Sequence, residues 1–221
     1  MRTPQQPRAI KTRDRILREA ARRFALKGFH DTKVDEIIKA AEVTSGAFFH
    51  HFKSKEDLGF AVIDHHMEER CRALDRIEKS LPGDGDNPCQ QSRGEGLDRV
   101  FRRLDAVCEM VVRRRNRKGG CLIGNLSTAL SDTHPAFRKR LGECFDEMAS
   151  EFRVHLDEAA ANHGLSGDQD TGEMARYIVS VIEGAIMLSR THRDVKIIER
   201  QMHHLKEDIR RSFQTTNAIS R

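Results

Sequence analysis

The sequence predicts an all-α chain of about nine helices, with a small N-terminal domain over residues 1–57 and a larger helical domain over 58–221. Three observations lead there. Apolar residues recur every three or four positions along most of the chain, the period of a helix with one buried face. No segment alternates apolar and polar residues as a half-buried strand does. Helix breakers are gathered into a few places, above all Pro82-Gly83-Asp84-Gly85-Asp86-Asn87-Pro88 and Gly164–Gly172. With 221 residues, 38% of them hydrophobic, the chain has material for a sizeable core. No apolar run approaches the ~20 residues that span a membrane. The first residues lack the apolar centre of a signal peptide, so a cytoplasmic protein is expected.

The first helix is expected over about Thr12–Lys27, with Ile16, Leu17, Ala20, Ala21 and Phe24 on one face and Gly28 as its left-handed terminator. Before it, Arg2, Arg8 and Lys11 with Pro4 and Pro7 read as a basic arm that is unstructured on its own. Thr32-Lys33-Val34-Asp35 has the form of a capping box, and a short helix follows with Val34, Ile37, Ile38 and Ala41 on one face. Glu42-Val43-Thr44 breaks it. A second short helix runs from Ser45 to about His51, and Ser54-Lys55-Glu56-Asp57 caps the next.

Two short helices joined by a tight turn have the form of a helix-turn-helix. Val43, Phe48 and Phe52 point back to the core, which leaves Ser45, Gly46, Ala47, Phe49, His50 and His51 outward. Thr44 and Ser45 suit hydrogen bonds to base edges or phosphates, and Lys33, Lys53 and Lys55 suit phosphate neutralisation. Spacing alone fits both a DNA reader and a helical hairpin with solvated basic ends. Charge favours the reader. Residues 1–57 hold 13 Lys+Arg and 8 Asp+Glu, and the remainder holds 26 of each, so the whole net +5 lies in this domain.

The residues Thr32, Val34, Ile37, Ala40, Ala41, Val43, Thr44, Gly46, Ala47, Phe48, His51, Phe52, Ser54, Lys55, Glu56 and Leu58 stand in a pattern that closely resembles the DNA-binding domain of TetR-family transcriptional regulators. The likeness runs without gaps from about Thr12 to Leu58. It implies a homodimer whose two readers sit in successive major grooves of a palindromic operator in double-stranded DNA. It implies most often a repressor, released when a small-molecule inducer binds the C-terminal domain. The family usually carries Tyr at Phe49, whose hydroxyl contacts a phosphate; Phe49 keeps the ring and loses that bond.

Downstream, Leu58, Phe60, Ala61, Ile63 and Met67 continue the helix from Ser54 towards Leu81; in the family its tilt sets the spacing of the two readers. Residues 82–92 read as a mobile loop. Leu97, Val100, Phe101, Leu104, Val107, Cys108, Val111 and Val112 stripe a helix over about 94–115, ending in the basic run Arg113–Lys118, which reads as a solvated helix end. A short helix follows Gly119-Gly120-Cys121 and ends near Ser131-Asp132. Pro135 opens a long helix to about Asn162. Glu173–Thr191 and Val195–Phe213 form the last two.

The segment GGCLIGNLSTALSD resembles the regulatory domain of a TetR subgroup that senses electrophiles and acrylate-like molecules, which implies a ligand pocket faced by Cys121 and Asn125. A thiol at a helix N-terminus is also a candidate for direct electrophile or redox sensing, against the commoner role of a small buried side chain. The five cysteines are scattered and fit reduced thiols. In the family the last two helices pair across a two-fold axis, which makes Ile178, Ile182, Ala185, Ile186, Met202 and Leu205 the candidate dimer residues. The adjacent histidine pairs are poor metal sites, because neighbours in a helix do not share a face. No enzyme motif or cofactor-binding motif is present. A sequence-independent nucleoid-type or RNA-binding helical protein is the alternative of another class, and the neutral C-terminal part argues against it.

Overall fold

The computed structural model describes residues 7–81, 97–113, 119–162 and 170–219. Among them are nine helices and no strand: α1 (Pro7–Lys27), α2 (Val34–Ala40), α3 (Ser45–His51), α4 (Lys55–Ser80), α5 (Leu97–Arg113), α6 (Leu122–Leu130), α7 (Pro135–Asn162), α8 (Thr171–His192) and α9 (Lys196–Ile219). The expected all-α class is therefore what the chain adopts. The loop expected at 82–92 with Cys89, most of the basic run (residues 114–118), residues 163–169 and the first six residues of the arm lie outside the described residues.

Three boundaries differ from the sequence reading, two of them for identifiable reasons. α1 begins at Pro7, so Arg8 and Lys11 of the expected arm belong to a helix. Pro suits a first helical position, where its missing N–H has no partner to lose. α8 starts at Thr171, because Asp170 caps it by accepting from the backbone N–H of Glu173 at 2.9 Å. α9 continues past Phe213 to Ile219.

Compactness divides the chain into residues 1–70 with 118–142, and residues 71–117 with 143–221. The motif-based division at 57/58 follows the reader alone. The compact division instead cuts α4 after Arg70 and α7 after Gly142, so both helices run from one unit into the other.

In the first unit the core is built on phenylalanine. Phe24 and Phe29 lie 5.0 Å apart between ring centroids, Phe29 and Phe137 5.3 Å, and Phe60 stacks on Phe137 at 4.2 Å. Gly59 makes this possible, since a Cβ there would fall 2.8 Å from Phe137 Cζ and 2.9 Å from Phe29 Cε2. Ile16, Leu17, Ile37, Phe48, Phe52 and Leu58 complete the packing beneath the short helices. Gly28 ends α1 with φ 84°, the left-handed terminator expected from its position.

The second unit packs α5, α8 and α9 with parts of α4 and α7. Its apolar core surrounds one buried cation. Arg103 pairs with Asp75 at 3.1 Å, Glu78 at 3.0 Å and Glu151 at 2.9 Å, tying α5 to α4 and α7. Burial acts to lower its pKa, but Glu151 and then the hydrogen bonds to Asp75 and Glu78 outweigh it, and the net shift is upward.

Candidate nucleic-acid interface

The reader is built by one hydroxyl cap and two buried rings. Thr44 is the N-cap of α3, and its Oγ1 accepts from the backbone N–H of Ala47 at 3.1 Å. Glu42, at φ 50°, takes the left-handed conformation that turns the chain from α2 into α3. Phe48 is fully buried and Phe52 nearly so, with centroids 5.8 Å apart. These two rings fix which face of α3 looks inward. Ser45, Gly46, Phe49 and His50 are exposed, and Ala47 and His51 are half-buried. Lys33, Thr44 and Lys53 are exposed beside them.

The capping box expected at Thr32 does not form. Thr32 is fully buried, and its Oγ1 donates to the carbonyl of Gly28 at 2.8 Å. Lys33 holds the N-cap position of α2 without a side-chain cap. The hydroxyl is spent on the turn behind α1. At α4 the expected box is partly realised: Ser54 Oγ accepts from the N–H of Asp57 at 3.1 Å, while Asp57 accepts from the N–H of Lys53 at 2.8 Å.

Lys55, expected as a phosphate cation, also has partners within the chain. Its Nζ donates to the carbonyl of His30 at 3.1 Å and lies 4.6 Å over the Phe29 ring. Desolvation lowers its pKa, with Glu56 and Asp31 pulling the other way. It braces the turn after α1, while Lys33 and Lys53 are exposed beside α3.

Arg13 is the residue the motif reading missed. Its guanidinium sits 5.5 Å over the Phe52 ring. The His51 pKa is lowered by desolvation first, then by His50 and Arg13. Thus α1 sets a fixed positive charge beside the end of α3. Periodicity could not show this, because it reports faces within one helix and not contacts between helices.

Residues 16–62 match the model of the tetR family of bacterial regulatory proteins, and residues 96–205 match the tetracyclin repressor-like C-terminal domain. The chain belongs to the TetR family. It is 29% identical over 186 residues to the transcriptional regulator AcuR of Cereibacter sphaeroides, covering 83% of this chain and 78% of that one. It is 23% identical over 202 residues to the transcriptional repressor NemR of Escherichia coli, covering 90% and 94%. A crystal structure of a TetR regulator from Chloroflexus aurantiacus superposes with a TM-score of 0.77 at 26% identity, covering 92% of this chain and 96% of that one. As a TetR-family member the chain is a transcriptional regulator and not an enzyme.

Of the candidate ligand residues Cys121 and Asn125, Asn125 has a local structural task. Cys121 is the N-cap residue of α6 and is half-buried. Asn125 Nδ2 donates to the carbonyls of Gly119 and, at 3.4 Å, Ala25. Both residues fall in the first compact unit, where α6 packs on α1. Among the described cysteines, Cys108 is held protonated: burial, then Glu199 and Asp105, push its thiol up to about 11. No group of three or more His, Cys, Asp or Glu among the described residues is placed to hold a metal ion.

Of the candidate dimer residues, Ile178, Ile182, Ala185, Met202 and Leu205 pack inside the protomer. All are buried within a single protomer, at 0%, 7%, 2%, 2% and 1% exposure. Their apolar stripe faces this chain's own core. Ile186 is half-buried. The exposed apolar residues of α8 are Tyr177, Met187 and Leu188.

Proposed function

We propose that this regulator is a homodimeric repressor that binds a palindromic operator and is released by a small-molecule inducer. The observation that carries the reading is the outward face of α3: small, hydroxyl, aromatic and histidine side chains, capped by Thr44 and flanked by exposed Lys33 and Lys53. Such a face fits base edges while the lysines meet phosphates. The repressor sign follows the description of NemR. None of the described helices is long and apolar enough to cross a membrane, in keeping with a regulator acting on DNA in the cytoplasm.

Dimerisation supplies specificity that one seven-residue reader lacks. Tyr177, Val181, Gly184 and Leu188 recur at helical spacing on α8, with Met187 beside them. A Cβ at Gly184 would meet nothing within 4 Å, so this protomer's packing does not require a glycine there. A second copy packed closely against the stripe would. Inducer binding acts through α4, whose single helix belongs to both compact units. A ~100-fold induction needs about 2.7 kcal/mol of differential affinity between the two states.

A thiol-sensing version of the same scaffold rests on Cys121 at the start of α6. Mass spectrometry after electrophile treatment tests it, and a Cys121→Ser variant that responds normally removes it. The main reading is tested by footprinting on DNA flanking the protein's own gene. A protected palindrome is expected at about 0.1 M salt. Lys33→Ala and Lys53→Ala should each weaken binding and lower its salt slope by about one. Equal protection of random DNA would favour a nucleoid-type protein, and an unchanged salt slope would remove these lysines from the interface.

A further inference from the structure

We propose that Arg15 is a positioning residue for the DNA reader: from α1 it holds the left-handed turn that aims α3. This rests on the operator-binding reading above and assigns the residue that keeps the reader in its binding orientation.

The first observation is a strained turn. α2 ends in a pair of backbone bonds, from the N–H of Val43 to the carbonyl of Ile38 at 3.2 Å and from the N–H of Glu42 to the carbonyl of Lys39 at 3.2 Å. This pattern puts the residue after the helix cap in the left-handed region, and here that residue is Glu42 at φ 50°. Glycine is the usual occupant, because a Cβ crowds the backbone there. The chain does use glycine at the end of α1, where Gly28 has φ 84°. Glutamate in the reader turn is biased towards negative φ unless something holds it. Thr44 caps α3 two residues on, so a change in the Glu42 torsions would re-aim the whole of α3.

The second observation is a holder from outside the turn. Arg15, on α1, donates through Nη2 to the carbonyl of Glu42 at 3.1 Å. The acceptor belongs to the strained residue itself, and the donor is 27 residues away in sequence. A charged donor makes a stronger bond than a neutral one. Ile16 and Leu17, the next two residues of α1, are fully buried, so the base of the Arg15 side chain is fixed independently of the turn. The bond is made to the left-handed form and favours it over the alternatives. Arg13, on the same helix, lies over Phe52 just beyond α3. α1 thus meets the reader at both ends, at Glu42 before it and at Phe52 after it.

The test is a double-variant cycle on the full-length protein and the operator defined by footprinting, with affinity read by fluorescence anisotropy. Arg15→Ala should weaken operator binding by about ten-fold, the value of roughly one charge-assisted hydrogen bond, and leave the salt slope unchanged. In a Glu42→Gly background the left-handed turn needs no support, and Arg15→Ala should change affinity by less than about two-fold. In a Glu42→Gln background, which removes the carboxylate and keeps the Cβ, the full penalty should return. The proposal is overturned if Arg15→Ala binds as wild type does, or if its penalty is as large with glycine at 42 as with glutamate. A penalty that vanishes with glutamine would make Arg15 a partner of the carboxylate and overturn it too. So would a salt slope lowered by about one, which marks a phosphate contact. Should Arg15→Ala fail to fold, the variant carrying both Arg15→Ala and Glu42→Gly decides: folding and binding as Glu42→Gly does supports the proposal, and failure in either overturns it. A wild-type protein that selects no operator would instead sink the DNA-binding reading itself.

Discussion

His51 shows how a single side chain carries both the fold and the proposed function. Its pKa lies below the ordinary histidine value through desolvation, His50 and Arg13, so the free protein favours the neutral ring. The neutral form adds stability that is present above about pH 6.5 and is lost as pH falls through the lowered folded value. Operator phosphates act in the opposite sense and favour the cation. Binding then takes up protons, so affinity should rise as pH drops from about 8 to about 6. Replacing His50 and His51 together by Gln should flatten that dependence; an unaltered slope in anisotropy titrations would assign the protons elsewhere. The identity of these residues was legible in the sequence because the reader motif is local. Their charge environment was not, since Arg13 reaches His51 from α1. The partners of Lys55 within the chain were hidden for the same reason: they are His30 and Phe29, on a turn that periodicity does not describe.

Helices, by contrast, were legible almost throughout, because a 3.6-residue period with proline and glycine punctuation is a property of the segment itself. What the sequence could not rank were competing uses of one residue type. Thr32 and Thr44 both precede short helices, yet Thr44 caps α3 and Thr32 binds the Gly28 carbonyl. The choice depends on whether the preceding turn buries the hydroxyl. Arg103 was likewise invisible as an organiser, since it sits inside an apolar stripe on α5. It joins three helices through three carboxylates, and Glu151 also accepts from the Cys71 thiol at 3.5 Å. Removing one partner of such a buried group leaves uncompensated charge. Arg103→Ala should cost about 3–5 kcal/mol in urea denaturation. Arg103→Ala together with Glu151→Gln should recover part of that loss. A single variant within about 0.5 kcal/mol of wild type would show that the network is solvated rather than buried.

For the whole molecule, the proposed dimer turns on how the apolar surface of α8 is divided between the chain's own core and a second copy. Sequence periodicity identified both α8 and α9 as apolar but could not separate the two faces, since both look alike in a single sequence. Burial separates them: Ile178, Ile182 and Ala185 face inward, while Tyr177, Met187 and Leu188 stay exposed. Tyr177 is also held, its hydroxyl donating to Asp208 of α9 at 2.9 Å, so the outward face is ordered before any partner arrives. A two-fold interface contacts itself, so every substitution on it counts twice. Met187→Asp with Leu188→Asp would therefore bring four carboxylates to one interface. The expected result by light scattering is a monomer that keeps its helical circular dichroism, because neither side chain belongs to the protomer core. Operator affinity should fall by about 100-fold or more, since a monomer reads one half-site. An Ile182→Asp control should instead unfold the second unit, as a charge placed in the core must. A double variant that remains dimeric would move the interface off this stripe. A variant that becomes monomeric but binds operator unchanged would show that one reader suffices and that pairing serves another purpose.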